Sequence, residues 1–143
     1  MNAKKRVLIL CTGNSARSQM AEGLLRSMAG DLLDVFSAGT RPAGLNPNAV
    51  AAMAEIGIDI SGHRSKSVDE FRAQEFDYVI TVCDNAKEAC PVFPGHARQI
   101  HHDFEDPAAA PTDRQLAVFR KVRDELHAWL AKLAPRFAGG MTD

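Results

Sequence analysis

The sequence predicts an α/β domain built on a parallel sheet. Two observations carry this. Short, continuously apolar runs alternate with longer segments of helical apolar spacing, and Cys11, Cys83 and Asp106 each follow one of the short runs. Strand–helix alternation implies parallel strands joined by right-handed crossovers. In such open sheets ligands bind beyond the carboxyl ends of the strands. The 143 residues fit one domain, 1–143, and 45% hydrophobic with 24% charged content is that of a packed globular chain.

Arg6–Leu10 is the first strand, apolar throughout as expected where both faces are buried. Ser15 to Met28 forms a helix, with Met20, Leu24, Leu25 and Met28 on its apolar face. Leu33–Ala38 is the second strand, closed by Gly39. Asn46 caps a helix with Pro47 in its first turn, running through Val50, Met53 and Ile56 and stopping at Gly57. Ser67 caps a short helix through Val68 and Phe71. Tyr78–Val82, β-branched and aromatic, is the third strand, and Arg98–His101 a weaker fourth. The last helix starts near Thr112 or Asp113. It lines up Leu116, Phe119, Val122, Leu126, Trp129, Leu130 and Leu133 as a core stripe, and the tail from Pro135 to Asp143 is expected to fray.

Charge and apolar runs remove whole classes of function. Seventeen basic against 18 acidic residues, net −1, exclude a general polyanion surface, so no nucleic acid is expected as partner. No apolar run approaches the ~20 residues that cross a bilayer. Lys4-Lys5-Arg6 precedes only the four apolar residues Val7–Leu10, short of a ~7–15-residue signal core. The expectation is a cytoplasmic chain without membrane attachment, whose three cysteines, Cys11, Cys83 and Cys90, rest as thiols.

Cys11-Thr12-Gly13-Asn14-Ser15-Ala16-Arg17-Ser18 carries the most chemistry. A buried strand feeds a short loop that opens a helix, where unpaired N–H groups and the helix dipole attract anions. Gly13 and Asn14 tolerate left-handed angles, so the loop can aim several N–H groups inward and hold a tetrahedral oxyanion. Five residues separate Cys11 from Arg17, which lets the guanidinium face the thiol and grip two oxygens. The same field is expected to make Cys11 a thiolate at neutral pH, with Ser18 donating to it. The bland alternative is a buried strand-end cysteine beside a surface arginine. A nucleotide-binding Walker loop is disfavoured, since G-x4-G-K-[ST] is missing.

Cys11 to Ser18, followed by Met20-Ala21-Glu22, resembles the catalytic loop of the low-molecular-weight tyrosine phosphatases, and most closely their relatives, the thioredoxin-coupled arsenate reductases. The resemblance covers nearly the whole chain. Ser37-Ala38-Gly39-Thr40, Gly57-Ile58-Asp59-Ile60, His63, Thr81-Val82-Cys83 and Asp106-Pro107 fall in the family's order, and Ala16 stands where the phosphatases usually carry a second cysteine. It implies a three-layer sandwich around a four-stranded parallel sheet. It also implies Asp106 as general acid, ahead of the nearby Asp103 and Glu105. On its own Asp106-Pro107 is only a turn whose proline extends the aspartate backbone.

Cys83 and Cys90 are seven apart. On a straight helix such residues lie ~10 Å apart along the axis, while a disulfide needs α-carbons within ~7 Å. Pairing therefore requires the segment to bend or unwind. The resemblance implies a relay. Cys11 attacks arsenate while Asp106 protonates the departing oxygen. Cys83 then attacks Cys11 and releases arsenite, Cys90 attacks Cys83, and thioredoxin reduces the final disulfide from outside. No bound cofactor is implied, phosphate and sulfate are competing oxyanions, and the chain is expected to act as a monomer. Two alternatives remain open: a phosphatase hydrolysing phosphomonoesters, which needs only Cys11, and an oxyanion-binding sensor. Against the first, the single tyrosine, Tyr78, falls within a buried strand.

Some relatives hold potassium beside the loop. The matching positions are Asn14, Glu22 and Ser37, with Lys66 in place of an aspartate, so an ammonium is expected where the cation would sit, paired with Glu22. No metal site is expected. Zinc lacks a C-x2-C half-site, and His63, His101 and His102 are read as packing or surface residues. Arg41-Pro42-Ala43-Gly44 borders the site and is assigned no chemistry.

Overall fold

The computed structural model describes residues 4–139. Four strands, β1 (Lys5–Cys11), β2 (Leu33–Gly39), β3 (Tyr78–Thr81) and β4 (Arg98–His101), form one sheet in the order β2-β1-β3-β4. Every pairing is parallel. The helices are α1 (Arg17–Ala29), α2 (Pro47–Ala54), α3 (Asp84–Glu88) and α4 (Gln115–Gly139), with short 3-10 helices at Val68–Phe71, Pro107–Ala109 and Thr112–Arg114.

Val7, Leu8, Ile9 and Leu10 are all fully buried. Successive strand residues point to opposite faces, so both faces of the sheet are covered and the molecule has three layers. The register places Leu10 opposite Ala38 and Thr81, which brings the ends of β1, β2 and β3 together. Cys11 ends β1 and Cys83 follows β3 by two residues, so both cysteines sit at the carboxyl edge where the topology puts ligands.

The helix boundaries follow local chemistry. The Asn46 side chain accepts from Asn48 N at 2.8 Å, and Ser67 accepts from Asp69 N at 3.1 Å. α2 ends at Ala54, before the expected Ile56, and closes in a Schellman turn. Ile58 N donates to Met53 O and Gly57 N to Ala54 O, each at 3.0 Å, with Gly57 at φ 80°. Ile56 falls in that turn and is exposed.

The tail departs from expectation. Pro135 was expected to begin a frayed segment, yet Pro135–Gly139 continues α4. A proline inside a helix costs about 3 kcal/mol. Two residues later Phe137 is fully buried against Tyr78, ring centroids 4.5 Å apart, and that contact holds the turn. The rest of the tail, 140–143, lies outside the described residues. No helix among the described residues is long and apolar enough to cross a membrane.

Candidate active site

The loop after β1 is shaped by a second stretch of backbone. Thr40 N donates to Cys11 O (3.2 Å), Arg41 N to Thr12 O (2.9 Å), Ala43 N to Gly13 O (2.9 Å) and Asn46 N to Ser15 O (2.9 Å). These bonds draw the loop carbonyls outward. Within a planar trans peptide the N–H points opposite to the carbonyl, so the amides that follow turn inward. Asn14 takes φ 46°, the left-handed value expected of it. Gly39 is required for the two stretches to approach. A Cβ there would stand 2.5 Å from Thr12 O and 2.9 Å from Asn14 N.

Behind the loop lies a polar network that holds Asn14. Its Oδ1 accepts from Lys66 N (2.9 Å) and from Gln19 Nε2 (3.0 Å), and Gln19 Nε2 also reaches Asn14 O (3.1 Å). The Lys66 backbone N–H can only donate, so the amide orientation is fixed and Asn14 Nδ2 faces two hydroxyls, Ser18 Oγ (2.8 Å) and Ser37 Oγ (3.0 Å). Ser37 in turn donates to Glu22 Oε1 at 2.6 Å. Asn14, Ser18, Gln19 and Ser37 are fully buried.

The Cys11 sulfur is the focus of this construction. Asn14 N donates to it at 3.2 Å and Ser18 Oγ lies 2.8 Å away. Even so, burial pushes the Cys11 thiol above its ordinary value, against the hydrogen bonds from Ser18 and Asn14 and the field of Arg17. This corrects the expectation of a resting thiolate. Asn14 N and Ser18 Oγ lie within hydrogen-bond reach of the sulfur, but Cys11 is 2% exposed and the loss of hydration outweighs them.

Cys11, Thr12, Gly13, Ser15, Ala16, Arg17 and Asp106 line one cavity of about 290 Å³, joined by Arg41, Ala43 and Ala108. Asn14 and Ser18, expected among the oxyanion contacts, are not in its wall; they act from behind, on the sulfur. Arg17 opens α1, and its Nη1 donates to Phe104 O at 3.0 Å. Its Nη2 lies 3.9 Å from Asp106 Oδ2. Asp106 has the extended backbone that Pro107 imposes (φ −81°, ψ 106°) and caps the next turn through Ala108 N at 3.0 Å.

All three cysteines are free thiols. Cys83 caps α3, accepting from Ala86 N at 3.4 Å, and its sulfur stands 3.4 Å from Thr12 Oγ1, against the loop. Cys90 lies beyond α3, half-buried, with its thiol pushed up by burial. The segment between them is held at one end. His101 Nε2 and Asp84 Oδ1 are 2.7 Å apart, and Asp84 N donates to Asp103 Oδ1 at 3.1 Å. At the other end Phe93 is buried edge-on against Phe76, while Val92 is 94% exposed.

Lys66 Nζ stands 3.9 Å from Glu22 Oε1 and donates to Arg64 O at 3.0 Å. Arg26 (3.0 Å) and His63 (3.6 Å) share the other Glu22 oxygen. Burial lowers both the Lys66 ammonium and the His63 imidazole, with Glu22 opposing in each case. Gln19 Oε1 faces His63 Nδ1 at 2.9 Å. Because the Gln19 amide nitrogen is spent on Asn14, its oxygen accepts and the proton sits on His63 Nδ1. Gln19 was missed from sequence. Its spacing from Glu22, three along the helix beside the apolar stripe, is the signal that a buried polar pair was present. His101 bonds Thr81 and Asp84, and His102 stacks on Phe104. Among the described residues no group of three or more His, Cys, Asp or Glu is placed to hold a metal.

Known proteins share this fold. The family described as low molecular weight phosphotyrosine protein phosphatase matches residues 6–139. An arsenate reductase of Halalkalibacterium halodurans is 51% identical over 125 residues, covering 86% of this chain and 90% of that protein. Among solved structures, a thioredoxin-dependent arsenate reductase of Corynebacterium glutamicum superposes with TM-score 0.74 at 28% identity, covering 95% of this chain and 63% of that one. A low molecular weight protein tyrosine phosphatase from T. tengcongensis superposes with TM-score 0.77 at 30% identity, covering 93% and 99%. The backbone is thus common to both chemistries. On its sequence and its fold, the chain belongs to the low molecular weight phosphotyrosine protein phosphatase family.

Proposed function

We propose that this chain reduces arsenate to arsenite through Cys11, Cys83 and Cys90, with thioredoxin as the external reductant. The observation that carries this reading is a second free thiol at the oxyanion loop, Cys83, whose sulfur is 3.4 Å from Thr12 Oγ1. A phosphatase has no use for it. The relatives named arsenate reductase support the same choice.

Arsenate sits among the loop amides, gripped by Arg17. The Cys11 proton passes to a bound oxygen, and the sulfur, now surrounded by Asn14 N, Ser18 Oγ and Arg17, attacks arsenic. An S–As bond forms and one oxygen leaves as water, protonated by Asp106. Cys83 then attacks the Cys11 sulfur. The Cys11–Cys83 bond forms, the S–As bond breaks, and its electron pair stays on arsenic, which departs as arsenite. Cys90 attacks Cys83, freeing Cys11 and leaving Cys83–Cys90 for thioredoxin. The last exchange needs the segment around α3 to unwind. Its exposed residues and its anchors at Asp84 and Phe93 suit a swing of Cys90 toward a stationary Cys83.

The cavity offers no aromatic wall for a phosphotyrosyl ring; beyond the loop and Asp106 its lining is Arg41, Ala43 and Ala108. Phosphate and sulfate are expected to compete. The test is arsenate-dependent oxidation of thioredoxin, assayed beside hydrolysis of an aromatic phosphate. Rapid thioredoxin oxidation with slow hydrolysis is expected, and the reverse would overturn the reading.

A further inference from the structure

We infer that Arg41 is a specificity residue that draws the charged oxyanion into the cavity and lets the uncharged product leave. This rests on the reading of the cavity as an arsenate site.

Arg41 is exposed, but its backbone does not drift. Its N–H donates to Thr12 O, and two residues on Ala43 N donates to Gly13 O, each at 2.9 Å. The stretch that turns the loop amides inward therefore also fixes Arg41 at the cavity rim.

The charged lining residues are Arg17, Arg41 and Asp106. Arg17 is already engaged, bonded to Phe104 O and 3.9 Å from Asp106. The Arg41 guanidinium has no ion pair or hydrogen bond among the described residues. With Asp106 ionised, Arg41 is the uncompensated charge of the lining; with Asp106 protonated, both arginines are.

A surplus positive charge at the rim of a cleft raises the local concentration of anions. Arsenate, phosphate and sulfate are anions at neutral pH, whereas arsenous acid is uncharged. Arg41 thus favours substrate over product without taking part in bond making. A residue acting this way changes affinity more than the rate of the bound complex, and its effect fades with salt.

The test is calorimetric titration of the reduced protein with inorganic phosphate at low and at physiological ionic strength. Arg41→Ala is expected to weaken phosphate roughly three- to tenfold at low salt, the range of one partly exposed charge contact. The gap should narrow at higher salt, and Arg41→Lys should restore most of it, because charge rather than the planar fork is what matters. In turnover the KM for arsenate should rise by the same factor, kcat should fall by less, and inhibition by arsenite should not change. Wild-type affinity for phosphate in Arg41→Ala at low salt would overturn the inference. Failure of the wild-type protein to bind phosphate at either salt would overturn the reading of the cavity beneath it.

Discussion

Ser18 Oγ lies 2.8 Å from the Cys11 sulfur and receives a hydrogen bond from Asn14 Nδ2 at the same distance. Either atom can donate across this contact while Cys11 is a thiol; once the sulfur is charged it can only accept, and the Ser18 O–H turns to it. In that charged state donation runs from Lys66 N through Asn14 and Ser18 to the nucleophile. It favours the charged form of a sulfur that burial nevertheless holds above its ordinary value.

Ser18→Ala removes that donor. Hydrogen bonds to charged groups contribute ~1.5–3 kcal/mol, so the chemical step is expected to slow about tenfold to a hundredfold. Alkylation of Cys11 followed against pH should shift further alkaline than in the wild type, where it already rises above the ordinary thiol range of ~8.5. An unchanged alkylation profile would show that Ser18 is only packed there.

His63 predicts a stability slope in acid. Burial lowers its imidazole, Glu22 opposing and Arg26 and Lys66 adding to the shift. As pH falls, the unfolded chain takes up the proton first, near ~6.5, and the folded protein only lower down. Between those two values the unfolded state binds more protons, so stability is full above ~6.5 and declines as pH drops toward the folded value. Melting temperatures from pH 7.5 to 5 should fall less steeply in His63→Gln. Parallel curves would mean the imidazole does not feel its burial.

The parts of the fold that were legible in sequence were those set by local chemistry. Continuous apolar runs gave β1 and β3, caps at Asn46 and Ser67 gave helix starts, and Gly57 gave the Schellman turn. The tail was misjudged because Pro135 is a local signal, whereas the Phe137–Tyr78 contact that overrides it joins residues far apart in sequence. In the site, Cys11 and Arg17, paired by their spacing, line one cavity with Asp106, which the resemblance had singled out. The resting state of Cys11 was not legible, since donors can be counted along a chain but burial cannot. Gln19 escapes the sequence reading for a similar reason, and Arg41, placed at the border of the site, receives no chemistry there. Their roles come from what crosses from another segment: His63 and Arg64 in one case, the Thr12 carbonyl in the other.

Arg17→Lys keeps the charge and loses the planar fork. Arg17 already spends one nitrogen on Phe104 O, so a lysine cannot both hold that contact and grip two oxygens. Turnover is expected to fall on the order of a hundredfold, the size seen when one oxyanion donor is lost. Near-normal turnover would mean that another group holds the anion.

Lys66 places an ammonium 3.9 Å from Glu22 Oε1, in the network that also contains Ser37 and Asn14. Activity in potassium and in sodium at equal ionic strength is accordingly expected to match. A clear potassium-specific activation of the wild-type protein would show that the ammonium does not stand in for a cation.

Cys90→Ser should bind arsenate, complete one turnover and stall, with Cys11 and Cys83 joined. Continued multiple turnover with thioredoxin in that variant would remove Cys90 from the path.

Peptide mass mapping of the wild-type protein, quenched and alkylated after a single equivalent of arsenate, tests the three-thiol account most directly. The expected product carries a Cys83–Cys90 disulfide and an alkylated Cys11. A Cys11–Cys90 disulfide, or three alkylated cysteines beside a full equivalent of arsenite, would contradict it.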